Sequence, residues 1–223
     1  MPDDIAGKLT AQAAQLHFAQ NLPDEINGFA TEKIFAADCD KFIFFTCTDE
    51  KIHCAATVYF HDETDEFKVS QRIGLTEFCL TNFFTEDFAA FQKLIDDELA
   101  DVLKNLRNVR DKPLNRFLRD KNIDTWSYDF PATLVGFELF ISPDKPVEVT
   151  NGSFIVVNYA DFAAGSDFVL YYNIYGDVFS AESRIKGAPH VSYAFEAVTL
   201  DDLTDKLNKN LSAELREIRR LSQ

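Results

Sequence analysis

The sequence is short of glycine, cysteine and long apolar runs, and each shortage excludes something. Eight glycines in 223 residues leave few places where the backbone can approach a phosphate or turn left-handed. They form neither a P-loop nor a G-x-G-x-x-G fingerprint, and G-x-S-x-G and H-E-x-x-H are also missing. The four cysteines contain no C-x-x-C pair, which argues against the common zinc and thioredoxin-type sites. The longest apolar runs, such as residues 42–45, are far too short to span a bilayer. No apolar stretch follows a basic start, so no secretory signal is evident. A cytoplasmic protein with free thiols is expected, with no cofactor, no metal and no catalytic residue assigned.

Positive charge is scarce as well. There are 22 Lys and Arg against 37 Asp and Glu, a formal charge of −15. The deficit is uneven: residues 1–111 hold 10 basic against 21 acidic residues, and residues 112–223 hold 12 against 16. Such a surface repels nucleic-acid phosphates and anionic membranes and favours basic partners.

What the chain has in abundance is phenylalanine, 22 residues, and a repeat. Residues 41–107 reappear at 153–219 with a constant shift of 112 and no gap, giving twelve identities in 67 positions. Phe42-Ile43 faces Phe154-Ile155, Tyr59 faces Tyr171, Arg72-Ile73 faces Arg184-Ile185, and Phe83 faces Phe195. Phe91, Ile95, Leu99, Leu103 and Leu106 face Leu203, Leu207, Leu211, Leu215 and Ile218. Any two amphipathic helices can be slid into register, but that does not explain strand matches at the same shift. The reading is an α+β chain made by tandem duplication of one unit: a helix, an antiparallel meander of four or five strands, then a long helix. The domains are then 1–111 and 112–223, packed together.

In detail, residues 4–20, with Ile5, Leu9 and Leu16, read as a first helix. Strands are expected at 31–39, 41–48, 52–60 and 66–73, with a weaker one at 77–83. A long helix follows from 85 to 109, capped by Thr85 or Asp87. Pro113 opens a short helix to 121, and residues 126–131 are loop. Strands resume at 134–141, 153–160, 167–175 and 177–185, with a fifth at 190–196. Thr199 and Asp202 open the last helix, to 221. The runs 42–45 and 154–157 are apolar on both strand faces, so each sheet needs a second cover, for which the sister half is the first choice. Trp126 and Tyr128 would plug the junction. Cys47 and Cys54, flanking a turn at 49–51, could face each other across a hairpin.

Two acidic clusters carry the functional expectation. Asp62, Glu63, Asp65 and Glu66 form a hairpin loop, without the glycine and spacing of a calcium loop. His53 and His61 would lie about 26 Å apart on one strand, too far to share a metal. Asp96, Asp97, Glu98 and Asp101 lie on the polar side of the first long helix, where the second carries Asn208, Lys209, Asn210 and Ala213. In outline the chain resembles small acidic secretion chaperones, a meander with flanking helices, which implies protein binding. The leading expectation is a non-enzymatic protein, of immunity, inhibitor or secretion-chaperone type, that docks a basic partner, as monomer or homodimer. The alternatives are a small-molecule binder or enzyme with an aromatic-lined cleft, and a nucleic-acid mimic.

Overall fold

A computed structural model describes residues 3–223, excepting the side chains of residues 3–6 and 19. The chain divides into two compact units, at Asn108 and Val109. The first begins with helices α1 (Asp3–Ala13) and α2 (His17–Gln20). Six strands follow: β1 (Glu25–Ile26), β2 (Phe29–Asp38), β3 (Lys41–Asp49), β4 (Cys54–His61), β5 (Glu66–Ile73) and β6 (Thr76–Cys79). They pair in sequence order as one antiparallel meander, because every connection is too short for anything but a hairpin. A 3-10 turn (Thr81–Phe83) leads into α3 (Phe88–Arg107).

The second unit repeats this order. After a short helix α4 (Arg116–Asp120) come β7 (Thr133–Leu134), β8 (Phe137–Ile141), β9 (Val147–Glu148), β10 (Ser153–Asp161), β11 (Ser166–Asn173), β12 (Val178–Ile185) and β13 (Ala188–Ala197). The closing helix is α5 (Leu200–Ser222). The sheet is again antiparallel, with β8 and β9 together lying along β10 where β2 lies along β3. The bounds of β10, β11 and β12 are those of β3, β4 and β5 plus 112. Both long helices bury the stripe the sequence assigns them: Phe91, Ile95, Leu99, Leu103 and Leu106 in α3, and Leu203, Leu207, Leu211, Leu215 and Ile218 in α5. Burying one such side chain contributes roughly 1.5–3 kcal/mol.

The apolar run of β3 has a different explanation from the one its pattern suggests, and that of β10 does not. Strand β3 carries a β-bulge between Ile43 and Phe45 against β4. The extra residue restarts the alternation, so Phe42, Phe44, Phe45, Cys47 and Asp49 are buried while Ile43, Thr46 and Thr48 are half-buried. In the first unit the run is therefore one-faced, and Phe44 packs against Phe91 of α3, ring centroids 6.4 Å apart. Strand β10 has its bulge at the matching place, between Ile155 and Val157. There Phe154, Val156, Val157 and Tyr159 join the core with α5. Ile155, Asn158 and Ala160, of the other phase, are buried too, so β10 is buried on both faces.

A second irregularity is shared. Phe179 pairs with Ala197 and Ala181 with Ser192, which leaves four residues of β13 opposite one residue of β12. The first unit makes the same excursion, between the Leu80 amide bonded to Val69 and the Phe67–Thr85 bridge. Each excursion drives one aromatic ring, Phe83 or Phe195, to full burial, which is why this pair is kept at the 112 shift.

At the other end the two units match at a shift of 108. Asn27-Gly28 joins β1 to β2 and Val135-Gly136 joins β7 to β8, all four with positive φ, as a two-residue type I′ turn requires. The guanidinium of Arg107 donates to the Asn27 carbonyl at 3.3 Å, and that of Arg219 to the Val135 carbonyl at 2.6 Å. A Cβ on either glycine would run into that guanidinium. Gly136→Ala is therefore expected to cost about 1–2 kcal/mol, the left-handed penalty for a non-glycine residue. Chemical unfolding measures it, and an unchanged midpoint would contradict it.

Several expectations need correction. The first helix is broken into α1 and α2, with Leu9 and Leu16 buried; the side chain of Ile5 lies outside the described residues. Pro113 does not open α4. Asn115 does, its side-chain oxygen accepting from the Phe117 amide at 3.0 Å. Asp87 caps α3 by accepting from Ala90 N–H, and Thr199 caps α5 by accepting from Asp202 N–H. Trp126 packs with Tyr128 and Phe130 on the core of the second unit, its indole N–H donating to Thr204 of α5. Cys54 stands opposite Asp49 and Cys47 opposite Ala56, so the two do not face each other and neither is in a disulfide. Burial pushes the Cys47 thiol up to about 12. No helix among the described residues is long and apolar enough to cross a membrane.

Candidate functional site

The acidic loop is the turn between β4 and β5. Asp65 takes φ 54 there, as Asp177 takes φ 48 at the matching turn. Aspartate tolerates the left-handed region better than most residues, so Asp65 has a structural reason to be present in both units. Glu66 is bound to Lys68, 3.0 Å away. Hydrogen bonds from Lys68 and Thr64 hold its carboxyl below the usual range. Asp62 is half-buried, and Glu63 is exposed.

On α3, Asp96, Asp97 and Asp101 are exposed and Glu98 is half-buried. Asp97 pairs with Lys93 one turn away, and Glu98 accepts from the Asn82 amide at 2.9 Å. This cluster and the turn are separate patches of the first unit. Phe67, just past the turn, is bridged to Thr85 ahead of α3. Asp96 lies eight residues into that helix, about 12 Å along its axis.

The structure adds a residue to the turn that sequence reasoning missed. Asp40, in the β2–β3 hairpin, approaches His61 with Oδ2 2.9 Å from Nε2. Ligand atoms of Asp40, His61 and Glu63 all lie within 4.8 Å of one another. The other ring nitrogen of His61 is 3.2 Å from the Thr64 hydroxyl, which also accepts from Lys68 at 2.7 Å. These three side chains could offer ligands to a divalent cation. His53, expected on the same strand as His61 but too far away to share a metal, lies outside β4 in a positive-φ turn position.

Neither acidic cluster recurs in the second unit, which holds a fully buried carboxylate. Asp167 is 0% exposed. Its oxygens accept from Arg184, at 3.2 Å each, and from the Asn158 amide at 3.1 Å. Arg184 also reaches Glu182 at 3.1 Å. Burial pushes the Asp167 carboxyl up to about 6, against the opposing pull of Arg184. Desolvation outweighs the counter-ion because no water reaches the carboxylate. The first unit has Thr46, Ala55, Ser70 and Arg72 at these places. Arg72 donates to the Gly74 carbonyl, so the shared arginine serves two different ends.

The second unit also holds two open clefts, of about 420 and 430 Å³. They meet at Val198 and Thr199, ahead of α5. One is lined by Lys121, Trp126 and Asp201 among others, the other by Tyr193, Glu196 and Asp202. Between this sheet and α5 the space is filled by side chains such as Phe168, Leu170, Phe179 and Phe195. No protein-family model, curated protein or solved structure matches the chain.

Proposed function

We propose that the chain is a non-enzymatic protein-binding protein whose first unit docks a basic surface of another protein through α3 and the β4–β5 turn. An inhibitor, immunity or chaperone-type role fits that chemistry. The observation that carries the reading is internal. The two units share strand bounds and helix stripe, yet the places of Asp62, Glu63, Glu66, Asp96, Asp97, Glu98 and Asp101 hold Ile174, Tyr175, Val178, Asn208, Lys209, Asn210 and Ala213. The second unit folds without these seven carboxylates; Glu66 answers to the buried Lys68 and Glu98 to Asn82, and the exposed Asp96, Asp97 and Asp101 on α3 are the ones offered to a partner. Carboxylates on a rigid helix face attract a basic partner at long range and give salt-dependent association.

The second unit supplies the test. A variant with Asp96→Asn, Asp97→Lys, Glu98→Asn and Asp101→Ala places residues on α3 that the same helix already carries in α5. Its stability is expected to stay within about 0.5 kcal/mol of the parent. Its affinity for a lysine-rich probe protein, followed by fluorescence anisotropy at low salt, should fall at least about tenfold. Equal affinity of the parent and the variant would remove the support for this reading.

A further inference from the structure

We infer that the second unit binds an extended segment of a partner protein, alternately apolar and basic, as an added strand along β13. This rests on the protein-binding reading only for the class of ligand; the surface, the unit and the forces are different.

Strand β13 is the edge of its sheet and spans ten residues, long for an edge, whose unpaired backbone groups invite another strand. Short edges and lysine are the usual protections. The first unit uses the former: its matching strand, β6, has four residues. Strand β13 carries no lysine or arginine; proline and a bulge, which also blunt an edge, fall at Pro189 and at 193–196 and leave 190–192 between them. Instead it exposes Val191 at 66% and Tyr193 at 79%, and Val198 just beyond it is 57% exposed. The matching residues of the first unit are Cys79, Thr81 and Glu86, so the fold does not call for large apolar groups there. Val191, opposite Glu182, is the last exposed apolar residue of the regular pairing, and Tyr193 opens the excursion where the edge leaves β12. Tyr193 and Val198 line the same cleft, giving the strand an apolar seat at its end.

Charge selects the occupant. Glu196 and Asp202 line that cleft, Asp202 being held by Lys206 at 2.7 Å; Asp120 and Asp201 line the adjoining one with Lys121, which Asp177 holds. A second copy of this chain would bring the same carboxylates against these, on a molecule of charge −15, which disfavours edge-to-edge self-pairing. A segment with lysine or arginine between apolar residues meets both features at once. Backbone pairing supplies affinity, Val191, Tyr193 and Val198 take the apolar side chains, and the carboxylates take the cations.

The test pans the full chain against a library of short random peptides. Enriched sequences are expected to alternate β-branched or aromatic residues with lysine or arginine, and to slow amide exchange over 188–194 about tenfold when bound. The variant Val191→Lys/Tyr193→Lys should weaken their binding at least about tenfold. Val191→Thr/Tyr193→Thr, which keeps strand propensity and adds no charge, should weaken it as well. The α3 charge variant should leave it unchanged, so this surface can fail without the docking face failing, and the reverse. Enriched peptides without the alternation would overturn the inference, as would equal binding by both edge variants. So would a parent chain that elutes as a dimer and becomes monomeric in Val191→Lys/Tyr193→Lys, since the edge is then closed by a second copy.

Discussion

Replacing Arg184 by methionine is expected to remove about 3–5 kcal/mol of stability at neutral pH, because it leaves a buried carboxylate without its counter-ion. Asp167 is wholly buried; Arg184 donates to both of its oxygens and Asn158 to one. The pH dependence gives the effect its signature. In the parent, the Asp167 carboxyl sits near 6, above the roughly 3.9 of an unfolded chain. The folded state therefore holds this proton more tightly than the unfolded one. By linkage, the contribution of this group to stability is greatest below about pH 4 and is lost as pH rises to about 6. Two pKa units correspond to about 3 kcal/mol. Without Arg184 the carboxyl moves higher still, so the penalty should be largest at pH 7–8 and shrink towards pH 5, where Asp167 is neutral in both proteins. Urea midpoints across that range measure it. A penalty that is flat with pH, or below about 1 kcal/mol at pH 7, would show the ion pair to be dispensable. The double variant Asp167→Leu/Arg184→Met should recover most of the loss, since an apolar pair pays no desolvation.

Phe44→Ala should cost a similar amount, about 3–5 kcal/mol, as a cavity among rings that cannot close over it. Phe44 is fully buried, with centroids 5.4 Å from Phe42, 6.1 Å from Phe67 and 6.4 Å from Phe91. It is the extra residue of the β3 bulge, so its truncation leaves the pairing on either side in register and the loss reports packing alone. Val156 holds the matching place in β10, and Val156→Ala should cost less because fewer atoms leave the core. The first unit should unfold at lower denaturant in Phe44→Ala, with the transition of the second unit displaced less. Equal penalties for the two truncations would mean that the aromatic cluster adds nothing beyond one small side chain.

The gapless match of 41–107 with 153–219 predicts strand bounds that agree to within a residue or two, because apolar residues on one scaffold are held by the same neighbours. Asp87 and Thr199 were readable as caps from their chemistry alone. The bulge at Phe44 was not readable. An apolar run looks two-faced to any period-2 pattern, and only pairing with β4 reveals that two neighbours share a face. Asp40 was missed beside His61 and Glu63 because it comes from another hairpin, 21 positions away. Nor could the sequence separate Asp65, held by its left-handed turn, from carboxylates that the turn does not need.

What residue order determined was local and periodic: the two long helices, the central strands of each unit, their hairpin order, the helix stripes and the sign of the net charge. These follow from side-chain spacing, which a chain carries with it whatever else it touches. What only the tertiary structure decided was phase and proximity: which face a bulged strand buries, that Asp167 meets Arg184 out of water, and that β13 is left as an exposed edge. Those depend on residues distant in the chain arriving side by side, and no spacing along one strand encodes the identity of its neighbour.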